Sequence, residues 1–141
     1  MLMRLMYASR AADSIKPDAL SAILKTSRAR NPGAGITGVL CFSGDVFMQV
    51  LEGGRTQVNA LYNAILRDER HRDVVLLSYD EIGERRFAGW SMGQVNLGRL
   101  NAALLLKYSD TAVLDPYAMS GDAAMALFNE LVATASVMCQ T

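Results

Sequence analysis

The sequence predicts an α+β fold, a sheet carrying two helices on one face with more helix to follow. Three observations lead there. Stretches rich in β-formers alternate with stretches of 3.6-residue apolar period, in the order strand, helix, strand, strand, helix, strand. Only Ser43, Gly44 and Asp45 separate the two middle strands, which makes them an antiparallel hairpin. The run DVFMQVLEGG, Asp45 to Gly54, puts Phe47, Gln49 and Leu51 on one face and Val46, Met48 and Val50 on the other, so both faces of the sheet need cover. The amide of Gln49 must then find its hydrogen bonds away from water.

The first strand is LMRLMYAS, Leu2 to Ser9, with Met3, Leu5, Tyr7 and Ser9 on one face. Pro17 suits the first turn of the next helix, and Leu20, Ile23, Leu24 and Ser27 recur on a single helical side. NPG, Asn31 to Gly33, is expected to end it, because Pro32 disfavours helical geometry at Asn31. GITGVLCFS, Gly35 to Ser43, is the second strand. After the hairpin, Val58, Leu61, Tyr62, Ile65 and Leu66 stripe a second helix that ends near Arg67. DVVLLSYDEI, Asp73 to Ile82, reads as a central buried strand, and WSMGQV, Trp90 to Val95, as a short fifth.

Two right-handed crossovers interleaved around a hairpin give the ferredoxin-like sandwich, β-α-β-β-α-β-β, with an antiparallel sheet and the first and third strands adjacent. Tyr7 and Gln49 then share the face beneath both helices. From Arg99 on the composition is helical: NAALLLKY makes a short helix, and AAMALFNELVATASVM carries Met125, Leu127, Phe128, Leu131 and Val132 on a broad apolar stripe. These helices are expected to cover the opposite sheet face or to form a subunit contact, dividing the chain into a domain of residues 1–97 and a helical cap of residues 98–141.

With 141 residues, 51% of them hydrophobic, the chain suits one compact domain. Lys+Arg 14 against Asp+Glu 14 leaves no net field to attract nucleic acid or an anionic membrane. No apolar run approaches the roughly 20 residues of a membrane span, and MLMRLMYASR lacks the long apolar segment of a signal peptide, so a cytoplasmic protein is expected. Cys41 and Cys139 lie far apart without metal-ligand spacing and are expected as reduced thiols; the single histidine, His71, excludes a two-histidine metal site. Neither a GxxxxGK[ST] loop nor a GxSxG elbow occurs, which argues against nucleotidase and hydrolase chemistry.

Taken together, YAS at the end of the first strand, RN at the end of the first helix, then GITG, FMQVLEG, ERH and RFAGWSM form an ordered set. This set closely resembles the BLUF family, blue-light sensors that hold a flavin between the two helices of a ferredoxin-like sheet. The resemblance runs from Leu2 to about Leu97, and the helical segment beyond resembles the cap of short, single-domain members, so that no attached cyclase or phosphodiesterase is expected. It implies a sensor rather than a turnover enzyme, noncovalent FAD (FMN or riboflavin being open alternatives), and a separate downstream protein as partner.

The resemblance also implies roles. Tyr7 matches the tyrosine that gives up an electron and a proton to the excited flavin, and Gln49 the glutamine between that tyrosine and the O4 and N5 edge. Asn31 matches the asparagine that reads N3 and O4. Trp90 and Met92 match the pair on the fifth strand that changes packing and relays the signal, and Ser9 a serine near the tryptophan. Arg30, Arg70 and His71 fall where the family places contacts to the O2 side or the flavin tail. Ile23, Leu24, Leu61 and Ile65 would sandwich the ring and keep water out.

Side-chain chemistry agrees, since a carboxamide carries donor and acceptor side by side and suits the pyrimidine edge of a flavin. Other readings stand beside this one. A buried glutamine on a strand is commonly a structural amide. The same sandwich also serves acylphosphatase-like enzymes and chromophore-free ligand-sensing modules, although the YASRAAD turn offers one arginine and no glycine-rich cradle for phosphate. Both of those alternatives predict a colourless protein. Apolar surface on the C-terminal helices leads to the expectation of a homo-oligomer.

Overall fold

The computed structural model describes residues 1–12, 17–95, 102–134 and 137–138. Its elements are β1 (Leu2–Ala11), α1 (Pro17–Ala34), β2 (Thr37–Ser43), β3 (Val46–Gly54), α2 (Arg55–Arg67), β4 (His71–Ile82), β5 (Gly93–Val95), α3 (Ala102–Tyr108), α4 (Gly121–Thr134) and β6 (Val137–Met138), with a 3-10 turn at Pro116–Ala118. The strands form one sheet in the order β4-β1-β3-β2-β5-β6. Its first four strands are antiparallel neighbours in the ferredoxin-like arrangement, and β1 lies against β3 with Tyr7 directly opposite Gln49.

The pleat sorts the core into two layers. Leu5, Tyr7, Leu40, Phe47 and Leu51 face α1 and α2, where they meet Ile23, Leu24 and Val58. Met6, Ala8, Val39, Cys41, Met48 and Val50 face the other way and are covered by Leu105 of α3 and by Ala124, Leu127, Phe128 and Leu131 of α4. The C-terminal helices therefore fill the bare face of the sheet. Cys41 is a free thiol in this second layer, its pKa pushed up to about 12 by burial. Cys139 lies outside the described residues.

Several expectations need correction. The sheet is mixed rather than antiparallel, because β5 runs parallel to β2, with Val39 opposite Gly93. A chain that turns back after β4 travels in the direction of β2 and can join its free edge only that way. Strand β4 is an edge strand, not a central one, and Leu76 and Tyr79 stand 47% and 39% exposed. A run such as VVLL reads the same at the centre of a sheet or at an edge that is half covered. Leu66, assigned to the apolar stripe of α2, is exposed. The end of the last predicted helix is instead β6, which pairs antiparallel with β5.

Helix α1 also runs past Pro32 to Ala34. Proline forfeits one intrahelical bond, to the carbonyl four residues back, yet the helix is closed beyond it by a Schellman pattern. The Ile36 amide donates to the Asn31 carbonyl (2.9 Å) and the Gly35 amide to the Pro32 carbonyl (3.2 Å), with Gly35 at φ +67°. This left-handed position favours glycine, and it holds the last turn in place. Asn31 is thereby fixed on a helix instead of a loop. Among the described residues, no helix is long and apolar enough to cross a membrane.

Candidate functional site

Opposed positions on β1 and β3 bring two polar side chains together inside the α1/α2 layer. The Tyr7 hydroxyl donates to Gln49 Oε1, and Gln49 Nε2 donates to Met92 Sδ at 3.2 Å. All three residues are buried. The thioether is a weak acceptor, so one end of the amide is held firmly and the other loosely. Burial drives the Tyr7 phenol pKa far upward, with the negative charge of Asp68 adding to the effect, and keeps the hydroxyl protonated. The ring is steadied by Tyr62 (5.8 Å between centroids) and by His71 edge-on (6.2 Å).

The segment before β5 closes the site. Three successive carbonyls are each taken by a different donor: Trp90 O by the Gly38 amide (3.1 Å), Ser91 O by Asn31 Nδ2 (2.7 Å) and Met92 O by Arg28 Nε (3.0 Å). Trp90 and Met92 are not on the fifth strand but precede it, and they part company. Met92 packs in the α1/α2 layer beside Gln49, whereas Trp90 stacks on Phe87 (5.6 Å, 19°) in the α3/α4 layer. The chain bends at Ser91 and Met92 and is irregular here, so residues two apart need not share a side. Ser9 is correspondingly placed against His71, with Oγ and Nδ1 2.8 Å apart, rather than against Trp90.

A tight turn from α2 into β4 builds the rim. The Asp68 carboxylate accepts the Arg70 amide (2.9 Å) and grips its guanidinium (Nη2 to Oδ2, 2.6 Å), and the His71 amide donates to the Asp68 carbonyl (3.0 Å). The Arg70 hydrogen bonds hold the Asp68 carboxyl below its usual range, and burial does the same to the His71 imidazole. Between this turn and α1 opens a cavity of about 150 Å³. Its polar lining is Tyr7, Thr26, Ser27, Asn31 and Gln49, its apolar lining Ile23, Leu61, Ala64 and Ile65, and its titratable lining Arg30, Asp68, Arg70 and His71.

Most of the residues singled out from the sequence thus meet around one cavity. Leu24 does not line it and belongs to the packed core beneath. The sequence reading missed Thr26, Ser27, Ala64 and Asp68 in the wall. Asp68 had a signal, a carboxylate at the end of a helix two residues before an arginine, which is the pattern of an Asx turn. Arg28, in the basic stretch KTSRAR whose arginines were candidates for phosphate contacts, instead donates to the Met92 carbonyl, and the part of Ser91, played by its backbone carbonyl, leaves no mark in side-chain chemistry.

Comparisons with known proteins agree with this geometry. The family described as BLUF, sensors of blue-light using FAD, matches residues 2–93. The blue light- and temperature-regulated antirepressor BluF of Escherichia coli (strain K12) is 37% identical over 87 residues, 62% of this chain and 22% of that protein. Photoactivated adenylate cyclase subunit beta of Euglena longa is 38% identical over 92 residues, 64% of this chain and 11% of that subunit. The chain therefore spans a minor part of these curated relatives. Among solved structures, the photo-activated state of BlsA superposes with a TM-score of 0.86 at 30% identity, covering 96% of this chain and 99% of that one. The dark state of BlrB, a BLUF protein, gives 0.74 at 31% identity, covering 94% and 95%. With the motifs, the sheet order and the family match all falling on the same residues, the chain belongs to the BLUF family of blue-light sensors that use FAD.

Proposed function

We propose that the cavity between α1 and α2 is the flavin site of this chain and that Tyr7 and Gln49 are its switch. The residues present suit the group. Two carboxamides and a phenol line the cleft together with aliphatic side chains, and Arg30 and Arg70, also in the lining, would meet an anionic tail. Asn31 and Gln49 would read the polar edge, Ile23, Leu61 and Ile65 would flank the ring, and Arg30, Arg70 and His71 would meet the O2 side or the tail. FMN or riboflavin would use the same edge contacts as FAD. When bound, the flavin supplies a blue-light-excited oxidant able to draw an electron and a proton from a neighbouring phenol.

The observation that carries the reading is the buried Tyr7 hydroxyl bonded to Gln49 Oε1 beside the cavity. Burial keeps the proton on Tyr7 Oη until light demands it. When that proton leaves, Gln49 Oε1 loses its donor; when it returns, the carboxamide can re-form the bond turned over, by rotation or as its tautomer. A turned amide gives up Met92 Sδ, which held it only weakly. A change of about 1 kcal/mol in hydrogen bonding is enough to bias a two-state element such as the Trp90–Met92 segment. The proposed division of labour places this switch in residues 1–97 and its cover in residues 98–141.

The output we propose is a separate protein, contacted by the segment before β5 and the C-terminal helices. The relatives named antirepressor and adenylate cyclase subunit support a regulatory output of some kind. A cytoplasmic homo-oligomer with no direct nucleic-acid or membrane contact completes the proposal, supported by the balanced charge and by the exposed Leu106 and Val113. The test is an absorption spectrum of the purified protein in the dark and after blue light. A flavin spectrum that shifts to the red and recovers in darkness is expected. Bound flavin that does not respond, or no flavin after reconstitution, overturns the reading.

A further inference from the structure

On the sheet face away from the cavity, the Glu52 side chain is 0% exposed, an unusual place for a carboxylate. It lies on β3 three residues beyond Gln49 and directly opposite Arg4 of β1. Its Oε2 accepts Arg4 Nε (2.9 Å), Arg4 Nη2 (2.8 Å) and the Arg86 amide (3.0 Å), and its Oε1 accepts the Phe87 amide (2.8 Å). Arg4 already supplies the counter-charge. The two amides do something different: they fix the segment between β4 and β5 to the strand that carries Gln49, because a buried carboxylate is costly once its donors leave.

Both residues held in this way touch α4 with their side chains. The Phe87 ring lies between Trp90 and Phe128, stacked on the first and edge-on to the second (6.4 Å, 69°), and Arg86 Nη1 donates to Asn129 Oδ1 at 2.5 Å. We propose that Glu52 is a positioning residue of the light switch: its carboxylate clamps the Arg86 and Phe87 amides and so ties β3 to α4, making α4 the surface that reports the state of Gln49. This rests on the blue-light reading above. The proposal concerns transmission only, and Glu52 does not touch the flavin cavity.

Amide hydrogen exchange on the flavin-bound protein, in the dark and under blue light, tests it. In the dark the Arg86 and Phe87 amides are expected to be protected, and light is expected to change exchange within residues 121–134. In Glu52→Gln the new Nε2 faces the Phe87 N–H, the position where it displaces the fewest donors. Exchange at Phe87 is then expected to rise about tenfold or more, the loss of one charge-assisted hydrogen bond. The red shift should persist while the response of α4 to light disappears. Phe87→Leu keeps the carboxylate cluster and removes the ring; it should lose the same α4 response and decides the matter if Glu52→Gln fails to fold.

A wild-type α4 response in either variant overturns the clamp, as does a wild-type protein that shifts to the red with α4 unchanged. Unprotected Arg86 and Phe87 amides in the dark overturn it too. Absence of any red shift in the wild type would instead sink the photoreceptor reading, and the dark exchange of Phe87 would still judge the clamp.

Discussion

Replacing Tyr7 by phenylalanine removes a single oxygen from a packed site. The ring keeps its neighbours Tyr62 and His71, so the cavity wall stays in place and flavin should still bind. What changes is Gln49 Oε1, a buried acceptor left without the Tyr7 hydroxyl. An unpaired buried acceptor costs about 1–3 kcal/mol. For a domain of this size each kcal/mol lowers Tm by about 4 °C, so a decrease of about 4–12 °C is expected in thermal unfolding. The same sample in a dark-minus-light absorption measurement should show bound flavin and no red shift. A variant that shifts normally would remove the phenol from the switch, and an unchanged Tm would show that the Tyr7–Gln49 bond is not the buried, satisfied contact argued here.

Trp90→Ala removes the stack on Phe87 without touching the cavity, so the red shift should persist while the dark-recovery time changes; loss of flavin binding would contradict that placement. Burial depresses the His71 pKa below 6.5, so the unfolded chain protonates first. The stability this contributes is full above about pH 6.5 and declines as pH falls through the folded value, and urea titrations at about pH 7 and 5.5 should show a difference that His71→Gln flattens. Gly38→Ala places a Cβ 2.1 Å from the Val50 carbonyl oxygen, which must push β2 and β3 apart. A loss of about 1–3 kcal/mol in denaturant unfolding is expected, and an unaffected midpoint would mean that the strands yield more easily than packed backbone should.

Pattern in the sequence carried the two-layer sheet and most of the cavity, because both depend on alternation and helical period. Tyr7 and Gln49 face each other for the same reason that Met48 and Val50 face away. What the sequence hid was set by tertiary context. A proline inside α1 is tolerated because Gly35 closes the helix beyond it, a compensation that no local rule weighs against Pro32. The edge position of β4 follows from topology and not from VVLL. Trp90 and Met92 separate because the segment before β5 is irregular, and periodicity has no hold there. Glu52 was visible as a lone acid in an apolar strand, but its meaning lay in the amides of Arg86 and Phe87, which sequence does not display.

The three carbonyls of Trp90, Ser91 and Met92, each held by a different donor, have a consequence in time. A segment fastened at consecutive residues does not creep; to slide by one position it must release all three bonds before any can re-form. At about 1 kcal/mol each, that crossing slows by a factor on the order of a hundred. If this segment moves with the switch proposed above, the time for which a flash is remembered is set by the donors Gly38, Asn31 and Arg28 as well as by the photochemistry.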